Sequence, residues 1–214
     1  MDAKLSRQER ERMQLIRTVT WSAEELFRRV GYENATLDAL AESSEYTKRT
    51  IYRYFVCKED LYYAVMLKGH RALLDAIRAE TAGGLSGHDK IQLAYKASYD
   101  YFAENGWLLD LIAQTKSIES RRDTGDLPYY KEYADCVSQL HGEIVGMFVA
   151  AHDDKSIRTD VDPRRLGVSS TFILNGLFHM LRLYGGFFTG QISDDKDELV
   201  DFTISFLHRA LEPV

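Results

Sequence analysis

The chain has 214 residues, of which 45% are hydrophobic and 28% are charged, a composition typical of a folded globular protein. Its formal net charge of -6 excludes a uniformly basic nucleic-acid-binding protein, and its two widely separated cysteines argue against a disulfide scaffold. The charged N-terminus lacks an apolar signal-peptide core, and Asn175, His179 and Arg182 interrupt the most apolar stretch. A cytoplasmic protein without a membrane span is therefore expected.

The excess of acidic residues lies entirely in the C-terminal part of the chain. Residues 1–62 contain 11 basic and 11 acidic residues, whereas residues 63–214 contain 16 basic and 22 acidic ones. An acidic body repels nucleic acid, but a neutral segment with a local basic patch does not. This division predicts two regions with different partners.

The first three predicted helices lie in the neutral part, beginning with one between Met13 and Val30. Apolar residues recur at spacings of three and four from residue 16 to residue 30, which predicts a helix that ends at Gly31. Thr36 is a predicted N-cap of a short second helix, and residues 43–46 are predicted to form a turn. Thr47 is a further N-cap candidate, which opens a third helix through Phe55.

The third predicted helix has an apolar face and a cationic face. Ile51 and Phe55 are four residues apart and are predicted to pack inward. The opposite side carries Arg49, Thr50 and Arg53, flanked by Tyr52 and Tyr54, with Lys48 in the first turn. Two short helices joined by a tight turn fit a helix-turn-helix that reads the major groove of DNA. The alternative is a solvated helix face, although such faces normally mix charges of both signs.

The rest of the chain is predicted to be helical as well. Helices are expected over residues 58–79, 89–104, 107–120, 128–152, 163–186 and 195–211, with proline at the start of the fourth and fifth. We find no internal repeat and no alternating run long enough for a sheet. The predicted fold class is all-α.

The stretch GYENATLDALAESSEYTKRTIYRYFVCKEDLYYAVM, from Gly31 to Met66, resembles the DNA-binding region of the tetracycline-repressor (TetR) family of bacterial transcriptional regulators. The resemblance implies an N-terminal three-helix helix-turn-helix DNA-binding unit at residues 1–60. It also implies a larger helical ligand-binding and dimerisation domain at residues 61–214. The residues that carry the resemblance are Gly31, Tyr32, Thr36, Ala41, Glu42, Thr47, Lys48, Thr50, Ile51, Tyr52, Tyr54, Phe55, Lys58, Glu59 and Leu61.

When the family's DNA contacts are transferred to the matching positions of this chain, the resemblance implies contacts with the bases and phosphates of double-stranded DNA. Two positions depart from the family pattern. Glu45 stands where the family commonly has glycine, so the turn either has another shape or carries about 1 kcal/mol of strain. Arg49 also stands at a common glycine position, where it adds a long hydrogen-bond donor. The predicted DNA contacts are Thr36, Thr47, Lys48, Arg49, Thr50, Tyr52, Arg53, Tyr54 and Lys58.

The last two helices supply apolar surface suited to a homodimer. A two-fold dimer reads a palindromic operator, whereas a single helix-turn-helix binds weakly. The alternative is that these side chains form the core. The candidate residues are Phe172, Ile173, Leu177, Leu181, Val200, Ile204, Leu207 and Leu211.

The family resemblance also implies a small-molecule effector, whose identity the sequence does not reveal. Asn175 and His179 share one face of an apolar helix, so as buried polar groups they are satisfied either by each other and the backbone or by a ligand. The aromatic candidates, taken singly, fit a core role better than a pocket role. The predicted ligand-binding residues are Tyr99, Phe102, Trp107, Gln114, Tyr133, Asn175, Phe178 and His179.

The sequence favours this function over two others. An enzyme is not predicted, because the sequence has no glycine-rich phosphate loop, nucleophile motif or metal-ligand cluster, and no cofactor is expected. A DNA-binding architectural or regulatory protein remains an alternative, in which the C-terminal domain binds a protein partner instead of a small ligand. The favoured interpretation is a repressor released from a palindromic operator by an effector.

Overall fold

The structure is a computed structural model that describes residues 6–121, 123–192 and 195–213, apart from the side chains of Phe188 and Ile192. Within these ranges the chain forms nine helices and no strand, which confirms the all-α prediction. No helix of the described ranges is long and apolar enough to cross a bilayer. The helices are α1 (Arg7–Asn34), α2 (Leu37–Ser44), α3 (Lys48–Ile51), α4 (Lys58–Thr81), α5 (Gly87–Glu104), α6 (Gly106–Arg121), α7 (Pro128–Asp153), α8 (Pro163–Ile192) and α9 (Lys196–Ala210).

Contacts within the chain divide it into two compact units. The first unit comprises residues 1–69 and 110–136, and the second comprises residues 70–109 and 137–214. Helices α4, α6 and α7 contribute residues to both units. The predicted domain boundary at residue 60 stays a prediction.

The first unit contains the three N-terminal helices. Gly31 has φ 77° and ψ 161°, so the regular geometry of α1 breaks where the sequence predicts it, and one irregular turn follows to Asn34. Leu40 of α2 and Ile51 of α3 are almost completely buried, as is Phe55 beyond α3. The inward face predicted for the third helix is therefore confirmed.

The third helix is shorter than predicted. Its α-helical part ends at Ile51 rather than Phe55, and residues 52–54 form a turn. The backbone N–H groups of Arg53 and Tyr54 bond to Thr50 and Ile51, three residues back instead of four. Such tightening is common in the last turn of a helix and accounts for the difference.

Helix α8 is longer than predicted, because it continues through Gly185 and Gly186 to Ile192. Glycine in a helix interior costs about 1 kcal/mol relative to alanine, an amount that packing readily offsets. Gly185 is buried, and a Cβ atom built there would lie 2.6 Å from Cε of Lys196 in α9. Gly185 thus lies inside α8 beside the Lys196 side chain instead of ending the helix.

The second unit is built from α5, α8, α9 and parts of α4, α6 and α7. The N-terminus of α5 lies directly against the end of α7, where the Gly87 N–H donates to Asp154 Oδ2 at 3.0 Å. The next N–H, of His88, donates to Ser156 Oγ at 3.0 Å. A Cβ atom on Gly87 would lie 2.4 Å from the Cα of Ala151. This junction therefore requires glycine at the first position of α5.

Candidate nucleic-acid interface

Threonine side chains cap both short helices of the helix-turn-helix. The Thr36 hydroxyl accepts a hydrogen bond from the Ala39 N–H at 3.2 Å, and the Thr47 hydroxyl accepts one from the Thr50 N–H at 3.2 Å. The Thr47 and Thr50 hydroxyls also lie 2.9 Å apart and share a hydrogen bond. The capping roles predicted for Thr36 and Thr47 are thus seen directly, and both residues remain exposed.

The turn between α2 and α3 contains a residue in the left-handed region. Glu45 has φ 60° and ψ 19°, and its N–H bonds to the Glu42 carbonyl. Of the two possibilities that the sequence left open at this position, the structure shows the left-handed geometry that favours glycine. A side chain with a Cβ atom is strained there by about 1–2 kcal/mol.

The exposed side of α3 and of the turn after it carries two arginines without acidic partners. Arg49 and Arg53 are both exposed, and within the described ranges neither forms an ion pair. Tyr52 is 50% exposed beside them, whereas Tyr54 is half-buried. Guanidinium groups in this state are available for guanine edges or phosphates.

The two lysines predicted to contact DNA are engaged within the first unit. Lys48, the first residue of α3, forms an ion pair with Asp38 in the first turn of α2. The Lys58 ammonium lies 4.3 Å from the centre of the Tyr32 ring and donates to the Glu33 carbonyl at 3.2 Å. Burial lowers the pKa of Lys58, although the nearby acids Glu33 and Glu59 oppose that change.

The segment after α3 is fixed by residues that sequence reasoning missed. The Phe55 and Tyr129 rings are stacked with centroids 5.3 Å apart. The fully buried Asp60 carboxylate accepts the Val56 N–H at 3.1 Å and the Tyr129 N–H at 3.0 Å. Pro128 indicates that a helix begins here, so the Tyr129 N–H has no acceptor within its own helix. The sequence does not show which group accepts this N–H, because only folding brings the Asp60 carboxylate close to Tyr129.

Three of the predicted ligand-binding residues meet in the second unit. The ring centroid of Phe178 lies 5.8 Å from that of Tyr99 and 6.0 Å from that of Phe102. The Tyr99 hydroxyl donates to the Asp197 carboxylate, and burial together with this contact raises the pKa of Tyr99. Trp107 is half-buried in the same unit. Phe102 and Phe178 are buried, whereas Tyr99 is half-buried at the edge of this cluster.

The other four predicted ligand-binding residues are divided between the two units. Gln114 and Tyr133 belong to the first unit, where the buried Gln114 Oε1 has no hydrogen-bond partner among the described residues. Asn175 is exposed, which corrects the expectation that Asn175 and His179 are both buried, and His179 is half-buried. The apolar sequence of α8 predicted a helix that is buried on all sides, but one side of α8 is exposed.

A groove of about 260 Å³ lies between α4 and α5 in the second unit. None of the eight predicted ligand-binding residues lines it. The lining combines small apolar side chains with acidic ones: Ala76, Ala79, Glu80, Leu93, Lys96, Ala97, Asp100, Tyr101 and Glu104.

Large apolar side chains are exposed along α8 and α9. The candidates Leu181, Val200, Ile204 and Leu211 are buried, and Leu177 and Leu207 are half-buried. The alternative core role therefore applies to most of the predicted interface residues. Of the candidates, Phe172 and Ile173 are exposed. Further large apolar side chains exposed on α8 and α9, which were not among the candidates, are Val168, Met180, Leu183, Tyr184, Phe187, Phe202 and Phe206.

Residues 21–65 match the family described as bacterial regulatory proteins, tetR family. No curated protein matches the sequence. The fold is similar to that of a bacterial regulatory protein in the tetR family from Rhodococcus RHA1, with 17% identity, TM-score 0.67 and coverage of 92% of this chain and 97% of that one. It is also similar to the transcriptional regulator FadR from Bacillus subtilis in complex with stearoyl-CoA, with 14% identity, TM-score 0.66 and coverage of 89% and 96%. A third similar structure is that of a putative transcriptional regulator from Saccharomonospora viridis in complex with choline. It has 16% identity to this chain, a TM-score of 0.69 and coverage of 92% of this chain and 95% of that one.

Proposed function

We propose that this chain, whose residues 21–65 match the tetR family of bacterial regulatory proteins, is a DNA-binding transcriptional regulator, and more specifically a repressor released from a palindromic operator by a small-molecule effector. One observation carries the DNA-binding part of the proposal. Arg49 on α3 and Arg53 in the turn after it are exposed without acidic partners in the described structure, and the buried Ile51 holds this segment in place.

The proposed reading mode places α3 in the major groove. Arg49, in the first turn of α3, donates to base edges, and Arg53, Tyr52 and the threonine caps contact phosphates. A bidentate arginine–base contact contributes about 1–3 kcal/mol of discrimination, so the loss of Arg49 weakens operator binding by about 5- to 150-fold.

Operator selection from a genomic library, followed by fluorescence anisotropy, tests this role. We expect Arg49→Ala to fold normally and to lose most of its affinity and its preference at one base position. Arg165→Ala is a matched control, because Arg165 is an exposed arginine at the start of α8. Equal affinities of the Arg49→Ala and wild-type proteins for the selected operator would remove Arg49 from the interface.

The dimeric part of the proposal rests on the exposed apolar side of α8 and α9. Apolar patches of this extent on a single chain usually mark an interface. Phe202 and Phe206 form a stacked pair with ring centroids 6.5 Å apart, both more than half exposed. In a two-fold dimer the same surface meets its own copy, and two helix-turn-helix units then read the two halves of a palindrome.

The effector part is supported by the ligands of similar proteins, stearoyl-CoA for the Bacillus subtilis regulator and choline for the Saccharomonospora viridis one. These two compounds are the first probes for release of the selected operator. Release by either compound supports effector control. A protein partner that alters operator binding, with no response to small molecules, would favour the architectural or regulatory alternative.

A further inference from the structure

The ion pair between Asp38 and Lys48 joins the two helices of the helix-turn-helix on their exposed side. Asp38 lies in the first turn of α2 and its side chain is 80% exposed. Lys48 is the first residue of α3 and its side chain is 48% exposed. Both helices are capped by threonines predicted to touch phosphate, so this carboxylate stands on the surface proposed to face DNA.

A carboxylate at this position has two opposite effects. Within the protein it is favourable, because the first turn of a helix stabilises negative charge and Lys48 lies beside it. Against DNA it is unfavourable, because a phosphate close to Asp38 meets a charge of the same sign. Exposed ion pairs are weak in water, so Lys48 exchanges an acidic partner at little cost.

We propose that Asp38 masks Lys48 in the free protein and that an operator phosphate replaces Asp38 as the partner of Lys48 on binding. This inference rests on the proposed function. Arg49 and Arg53, which lack such partners in the described structure, need no exchange before they bind DNA. Asp38 thus lowers operator affinity and acts as a tuning residue, while Lys48 still contributes a phosphate contact in the complex.

The exchange predicts a specific pattern in four proteins: wild type, Asp38→Asn, Lys48→Gln and the double variant. Asp38→Asn keeps the size of the side chain and removes its charge, and we expect it to tighten operator binding about 5-fold. In the Lys48→Gln background the same change is expected to tighten binding by less than about 2-fold, because no masked cation remains to be freed and only the direct repulsion between Asp38 and phosphate is relieved.

Salt dependence supplies a readout that a merely structural role would not change. Each phosphate neutralised contributes about -0.9 to the slope of log K against log salt concentration. Lys48→Gln in the otherwise wild-type protein should make the slope shallower by about that amount, even though Lys48 is paired in the free protein. An unchanged slope would mean that Lys48 stays with Asp38 on DNA, and it would overturn the exchange.

Glu42→Gln is the matched control, because Glu42 is an exposed acid on α2 that has no ion pair in the described structure. If it tightens binding as much as Asp38→Asn does, the effect is one of net charge and the inference fails. Weaker binding by Asp38→Asn would also overturn it, since the carboxylate would then position Lys48 for DNA. If the wild-type protein binds no operator, the proposed function fails as well. If it binds and the four proteins show no coupling, only the exchange is refuted.

Discussion

Substitution of Phe202 by aspartate is expected to abolish the proposed dimer. The Phe202 residue is 60% exposed in the single chain. Complete burial of a phenylalanine side chain contributes about 1.5–3 kcal/mol, so the share still available to an interface is about 1–2 kcal/mol. A two-fold interface contains Phe202 twice, so the two side chains together contribute about 2–4 kcal/mol to the free energy of dimerisation.

The aspartate adds a cost of its own, because each interface copy then buries an unpaired carboxylate. A total of at least about 4 kcal/mol corresponds to a dimer dissociation constant raised about a thousand-fold. Sedimentation equilibrium over a dilution series measures this directly. Phe202→Leu keeps most of the apolar area and is expected to remain dimeric, and circular dichroism checks that both variants are folded.

Operator binding is expected to follow the dimer. Phe202→Asp leaves the predicted DNA contacts unchanged but separates the two helix-turn-helix units, so affinity for the full palindrome should fall towards that for one half-site. A folded Phe202→Asp protein that remains a dimer at every dilution would refute the assignment of α9 to the interface.

Close packing at Gly87, backbone geometry at Glu45 and ionisation of His208 each lead to a further expected outcome. Gly87→Ala places a Cβ atom 2.4 Å from the Cα of Ala151, and chemical denaturation should show a loss of about 1–3 kcal/mol, whereas an unchanged urea midpoint would contradict the close approach. Glu45→Gly relieves left-handed strain at an exposed site and should raise stability by about 1 kcal/mol, seen as a higher Tm; a lower Tm would show that the turn is not strained. Burial and the neighbouring His88 lower the pKa of His208, so the unfolded chain takes up a proton more readily and stability falls as pH drops below about 6.5. His208→Phe should make the urea midpoint less dependent on pH in that range, and equal pH dependence in both proteins would exclude His208 as the cause.

The helix-turn-helix was predictable because its signals are local. The caps at Thr36 and Thr47, the break at Gly31 and the four-residue spacing of Ile51 and Phe55 each depend on residues within about one helical turn. The end of α3 was less predictable. After Ile51 the backbone N–H groups of residues 53 and 54 bond to carbonyls three residues back instead of four. The spacing of apolar residues in the sequence does not indicate where this tightening begins.

The second unit shows where sequence patterns lose their meaning. Leu181 and Phe187 look alike in an apolar helix, yet the first is 7% exposed and the second 66%. Which side of α8 faces the core is set by the packing of α5 and α9 against it, which the apolar pattern of the helix does not specify. Gly185 likewise lies inside the helix, although a glycine in a local pattern often indicates a helix end.

The all-α class, the capped helix-turn-helix and the cationic segment follow from the amino-acid sequence, because periodicity, caps and charge act over a few residues. The folded chain was needed to show that Arg49 and Arg53 have no acidic partners in the described ranges, whereas Lys48 pairs with Asp38. It was also needed to show that Asp60 caps the start of α7 across 69 residues of chain. Such pairings depend on how separate helices pack, and no local pattern specifies which charges meet.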